Sequence, residues 1–183
     1  MNFWHGEWIK DEYVNTKKEK YETVKNYLDV IPKNILDIGC GFAWESYFFQ
    51  KNHNVDLWLM DGDFDTTKAR KRATNYGTTE SMAFYSKIPD LKKSWDERGM
   101  SYNFLNANDL NLPNNIKFDL IHSGLSCGFH YPANTYKDFI LKHSHKDTKI
   151  IFDLRRKEQH QDINIIETIG RYKKHNTVQI EFV

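Results

Sequence analysis

Apolar and polar positions change period several times along the chain. From Thr16 to Val30, Tyr21, Val24, Tyr27 and Leu28 recur at three- and four-residue intervals among charges. That spacing predicts an amphipathic helix, ended by Pro32 just beyond it. Ile35 to Ile38, within NILDI, is an apolar run of strand length, and FAWESYFFQKN returns to helical spacing with Trp44, Phe48 and Phe49 inward. VDLWLM (Val55 to Met60) is a second strand that runs into Asp61, Gly62 and Asp63. Phe64 to Gly77 is basic and polar and predicts a loop or irregular helix. ESMAFYSKIPDLKKSWDERG predicts a helix interrupted at Pro89. SYNFLNAND gives a third strand and FDLIHSG (Phe118 to Gly124) a fourth, reached through the turn NLPNNIK. A helix across NTYKDFILKHSH leads to a fifth strand, KIIFDL. The tail from Asp162 predicts a short helix and one or two strands, with a hairpin turning near His175 and Asn176.

Alternating strands and helices with apolar strands imply an α/β fold, a doubly wound and mostly parallel sheet covered on both faces, closed by an abbreviated C-terminal hairpin. Such Rossmann-like sheets bind ligands beyond the carboxyl ends of their strands, where strand order reverses. A length of 183 residues fits one domain. Within it, 1–33 form an N-terminal arm and helix, and 64–101 an insert between the second and third strands.

Composition narrows the classes. Aromatic residues make up 15%, which favours a ring-lined binding surface. A net charge of +1 offers no basic excess to hold a phosphate backbone, so nucleic acid is not the favoured partner. No apolar run reaches the roughly 18 residues of a membrane span. The opening MNFWHGEWIKDEYVN lacks the features of a signal peptide. Cys40 and Cys127 form neither a disulfide framework nor a zinc spacing, and the His-x-His of KHSHKD has no third ligand nearby. A reduced cytoplasmic setting without a metal is expected.

The junction of the first strand and its helix carries Gly39 and Gly41. A dinucleotide fingerprint needs a third glycine where Trp44 stands, and an indole there holds the helix off the strand. No G-K-[ST] follows, so a phosphate-binding P-loop is excluded too. LDIGCGFA instead resembles motif I of the class I S-adenosylmethionine-dependent methyltransferases: Asp37, Gly39 and Gly41 match, Cys40 fills a variable position, and Ala43 replaces the last glycine. The resemblance runs from Ile35 to about Arg156 and implies S-adenosylmethionine as cofactor. It implies that Asp61, with Gly62, closes the second strand as the acceptor of the ribose hydroxyls, with Asp63 as a competitor. In NANDLNLPNNIKFDLIHS it implies that Asp109 reaches the adenine amino group and that Leu110 backbone supports the ring edge, and Ser123 completes the cofactor set. Asp37 and Asp109 also read as turn residues, and Asp119 as a structural bond to loop backbone.

Acceptor chemistry should follow the fourth strand. HSGLSCGFHYPANTY lacks the N/D-P-P-Y/F tetrapeptide of base-methylating enzymes. It resembles the S-x-G-F-H-x-P-x-x-x-Y pattern of sugar O-methyltransferases and phage-borne relatives, as do AFYSKIPDLKKSWDERGM and IIFDLRR. That resemblance implies O-methylation of a small molecule such as a sugar or nucleotide sugar, with the insert shaping the acceptor site. His130 reads as the general base, or as a loop histidine fixing the turn. Tyr131 reads as a pocket wall or as packing under Pro132. Arg155 is placed to pair with an acceptor carboxylate or phosphate, or to be solvated. His122 reads as a core histidine. The basic run KARKRATNYG offers a contact to RNA or to a nucleotide-sugar phosphate, or a solvated face, and NFWHGEW an arm closing over the acceptor or packing on the body. An RNA or cap methyltransferase and a non-catalytic cofactor-binding module are the competing functions.

Overall fold

In the computed structural model the chain contributes strands β1 (Asn34–Ile38), β2 (Asp56–Asp61), β3 (Asn103–Asn106), β4 (Leu120–Ser123), β5 (Lys149–Arg155), β6 (Ile163–Arg171) and β7 (His175–Phe182) to one sheet. Their order is β3-β2-β1-β4-β5-β7-β6. The first five are parallel, and β7 inserts antiparallel between β5 and β6. The structure describes residues 6, 8–63, 84, 86–156 and 160–183. The basic segment from Phe64, residues 80–83 of the helix expected after it, and most of NFWHGEW lie outside the described residues.

Strand side chains alternate between two cores, as a period of two requires. Ile35, Leu57 and Leu59 pack with Tyr21, Val24, Phe49, Leu91 and Trp95. These come from three helices on one face, α1 (Asp11–Tyr27), α2 (Trp44–Asn52) and α3 (Ile88–Glu97). Leu36, Ile38, Met60 and Phe152 pack on the other face with Phe139 and Ile140 of α4 (Lys137–Lys142). Burial on both faces is why the apolar residues of NILDI and KIIFDL follow one another instead of alternating with polar ones. Each such side chain contributes about 1.5–3 kcal/mol.

Three expectations change. Pro89 sits in the first turn of α3 and starts that helix rather than breaking it, because its missing N–H would be unpaired there anyway. The single helix expected before β5 is a 3-10 turn, Ala133–Tyr136, followed by the short α4. The tail holds no helix among the described residues. Its INIIETIGR run is a strand of nine residues paired with the eight of β7, with register shifts between Ile165 and Glu167 and between Thr168 and Gly170. Tertiary pairing with β5 decides this, since Val178 and Ile180 become fully buried there.

Strand order reverses between β1 and β4, because β1 connects outward to β2 while β4 leads the other way to β5. The carboxyl ends of β1, β2 and β4 meet at that point, and the candidate site lies there.

Candidate active site

The glycine loop takes three left-handed steps at alternate residues, with φ of 65° at Gly39, 51° at Gly41 and 51° at Ala43. Glycine suits the first two. Ala43 adopts the conformation with its methyl buried, so the alanine fills the geometry of the glycine it replaces. The amides of Gly39 and Cys40 donate to the Met60 carbonyl at 2.8 and 3.1 Å, folding the loop against the end of β2. A Cβ on Gly39 would stand 1.8 Å from Ser126 Oγ, whereas one on Gly41 would meet nothing within 4 Å.

Asp61, the last residue of β2, ties this loop together. Its Oδ2 accepts from the Gly41 amide at 2.7 Å and its Oδ1 from the Gly62 amide at 2.8 Å. Burial pushes its carboxyl up to about 6, against the pull of those two amides. Asp63 is committed elsewhere, accepting from the Ile88 amide at the start of α3.

Above the loop lies a cavity of about 320 Å³, lined by Asp37, Gly39, Cys40, Gly41 and Asp61 on one side and by Ser126, Phe129, His130 and Tyr131 on another. The Ser126–Tyr131 pair, joined at 2.7 Å, covers Gly39. Burial raises the Tyr131 phenol well above its ordinary value, so it stays protonated and hydrogen-bonds as a hydroxyl. The turn that presents His130 is held by amides of Phe129 and His130 donating to the Ser126 carbonyl at 3.0 and 2.8 Å. Arg155, at the end of β5, supports this turn from behind: its Nε donates to the Phe129 carbonyl at 3.0 Å and its guanidinium lies 4.5 Å from the Phe129 ring centre.

Seven of the residues singled out in the sequence thus meet on one cavity: Asp37, Gly39, Cys40, Gly41, Asp61, His130 and Tyr131. The others do not line it. Gly62 is covered by Phe84, whose ring a Cβ there would meet at 2.2 Å. Asp109 is exposed in the turn after β3, and Leu110 packs on the core. Ser123 is buried, its hydroxyl donating to the Ile38 carbonyl and accepting from the Cys127 amide. Asp119 binds loop backbone as read, accepting from the amides of Lys33 and Asn34. Of the His-x-His pair, His143 bonds the Ile116 carbonyl and His145 bonds Asp119.

Sequence reasoning missed a buried charged cluster beneath the cavity. Lys17 and Lys20 of α1 reach Glu45 of α2 at 3.0 and 3.6 Å. Burial would raise the Glu45 carboxyl, but the two ammonium groups outweigh it and pull the carboxyl down to about 2. Lys20 also pairs with Asp153 of β5, which accepts from the Leu125 amide and from Thr177. His122 stands between Ser46 at 3.2 Å, Asp37 at 3.5 Å and Glu45 at 3.9 Å. One signal was present: Lys17 and Lys20 share the helical stripe of Tyr21 and Val24, so their stems had to point inward.

No family model matches the sequence, and no curated protein does. Similarity to solved structures is extensive in fold and low in sequence. PH0226 from Pyrococcus horikoshii OT3 matches 96% of this chain and 93% of its own, with a TM-score of 0.65 at 10% identity. A methyltransferase from Pyrococcus furiosus matches 92% and 84%, at 0.57 and 14%. The plantazolicin methyltransferase BpumL, solved with a monoazolic desmethylPZN analog and SAH, matches 82% of this chain at 0.55 and 16%. The chain spans about half the length of BpumL, 51% of it. These likenesses establish a Rossmann-like fold that solved methyltransferases share.

Proposed function

We propose that the protein is an S-adenosylmethionine-dependent methyltransferase that methylates a hydroxyl of a small, sugar-like molecule. One observation carries the reading: the glycine loop, the buried Asp61 and the His130–Tyr131 turn converge on a single cavity at the switch point of the sheet. The residues suit the cofactor. Gly41 has open space where a side chain would stand, and Asp61 brings a carboxylate able to accept from two hydroxyls.

When bound, S-adenosylmethionine supplies a methyl group on a sulfonium, already activated for in-line displacement. The chain's own task is then alignment, exclusion of water and removal of one proton. Gly39, Cys40 and Gly41 would hold the cofactor's amino-acid end, and Asp61 its ribose. His130 takes the acceptor hydroxyl proton on its imidazole as the oxygen attacks. Tyr131, paired with Ser126, lines the space between the two substrates. Arg155 positions His130 through Phe129. The RNA reading rests on KARKRATNYG, which lies outside the described residues, and no feature of the cavity favours it.

Calorimetric titration with S-adenosylhomocysteine tests the cofactor, and turnover tests the base. Wild type should bind and Asp61→Ala should not. His130→Ala should keep donor affinity within a few-fold and lose transfer. Binding by neither protein, both shown folded, would overturn the reading.

A further inference from the structure

Part of the cavity wall is built by α1 and the first turn of α2, and it carries a buried ion pair. Lys17 and Glu45 both line the cavity and are bonded at 3.0 Å, with side chains 9% exposed each. Tyr13 lines it one turn before Lys17, whose ammonium lies 5.6 Å from its ring centre. Glu45 is wedged against Gly124, where a Cβ would stand 2.5 Å from Oε2. The pair is therefore fixed in place, and aromatic side chains flank it, Trp8 from α1's approach and Phe129 from the acceptor turn.

Charge counts against an anionic guest. Among the described residues lining the cavity one ammonium, Lys17, faces three carboxyl groups, Asp37, Glu45 and Asp61. Behind the wall Lys20 is paired with Asp153, and Arg98, which is not part of the lining, donates to the Phe42 carbonyl and lies over the Trp44 ring. S-adenosylmethionine adds a single net positive charge, and the carboxyl groups of the described lining outnumber it and Lys17 together. A phosphate or carboxylate entering the loaded cavity would lose hydration and meet repulsion. A neutral polyhydroxylic ring fits instead: it stacks on the aromatic side chains while its hydroxyls both donate to Glu45 and accept from Lys17 and Tyr13.

We infer that Tyr13, Lys17 and Glu45 form the acceptor-recognition wall, and that it selects an uncharged hydroxylated acceptor over phosphorylated or carboxylated ones. This inference rests on the methyltransferase reading. The test is transfer from S-adenosylmethionine to matched pairs of probes: glucose with glucose 6-phosphate, galactose with galactose 6-phosphate, and methyl glucoside with glucuronate. S-adenosylhomocysteine calorimetry runs beside it on every variant. Uncharged members should react at least tenfold faster than their charged partners. Glu45→Gln, which leaves Lys17 uncompensated, should shrink that ratio at least tenfold. Tyr13→Phe, which removes one hydroxyl, should raise the acceptor KM several-fold and leave homocysteine-product affinity unchanged. A preference for charged members, a ratio unmoved in Glu45→Gln, or no transfer to any uncharged probe by protein that binds S-adenosylhomocysteine would overturn it. Failure to bind S-adenosylhomocysteine at all would instead remove the cofactor reading, and this inference with it.

Discussion

At single residues, the two glycines of the loop do different work. Gly39 is pinned beneath Ser126 and needs a positive φ, so Gly39→Ala should displace the acceptor turn and unfold at clearly lower denaturant. Gly41→Ala should cost only the left-handed conformation, about 1–2 kcal/mol. Its methyl would stand in the cavity, so donor binding should weaken far more than the fold does. Chemical unfolding and calorimetry on the pair separate the two effects. Asp61 gives a pH signature of opposite signs. Its folded pKa, about 6, lies above the ordinary 3.8. The unliganded fold therefore holds the proton more tightly, and loses up to about 3 kcal/mol as pH rises from 3.8 through 6. Donor affinity should move the other way, falling about tenfold per unit as pH drops below 6, because only the carboxylate accepts from both ribose hydroxyls. Asp61→Asn should abolish that slope.

Among the elements, the docking of α1 is decided by its lysines. Tyr21 and Val24 supply apolar contact, but Lys17 and Lys20 are equally enclosed, at 7% and 5% exposure. Removing one partner of a buried pair leaves a lone charge, so Lys20→Met should destabilise by about 3–5 kcal/mol. Adding Asp153→Asn should recover much of that loss, a coupling that urea unfolding of the double-mutant cycle measures. Glu45 sets acid sensitivity. Its carboxyl is held at about 2 against an ordinary 4.5, so its stabilisation is complete above pH 4.5 and disappears as pH falls toward 2. At about 1.4 kcal/mol per unit this is about 3 kcal/mol, and Glu45→Gln should flatten that part of the pH–stability curve. Asp153 thereby joins α1 to the acceptor turn, since it holds both Lys20 and the Leu125 amide, and Leu125 itself carries a left-handed φ of 58°.

For the whole molecule, the C-terminal hairpin is structural. β7 covers β5 and brings Val178 and Ile180 into the core, and Thr177 bonds Asp153 at 2.7 Å. A chain ending at residue 161 should lose its cooperative unfolding transition, which circular dichroism would report. Among the described residues no helix is long and apolar enough to cross a membrane. The five parallel strands, the glycine loop and the acid that ends β2 were legible because each is a local pattern: a short apolar run, two glycines where φ turns positive, a carboxylate at a strand end. NILDI and its helix lie within a residue or two of their expected bounds. The tail was legible in part: the hairpin was expected, but it turns at 172–174, just before His175, and the expected short helix is strand, because INIIETIG has the apolar density of either and its partner β7 comes later in the chain. The charged cluster was not legible. Lys17, Glu45 and Asp153 stand 28 and 108 residues apart in sequence, and only the packing of α1 across the sheet brings them together. Local sequence thus determined the scaffold and one side of the cavity, since backbone conformation and strand ends are set by neighbours along the chain. The opposite wall was decided by tertiary structure alone, because burying a charge depends on which distant opposite charge is buried beside it.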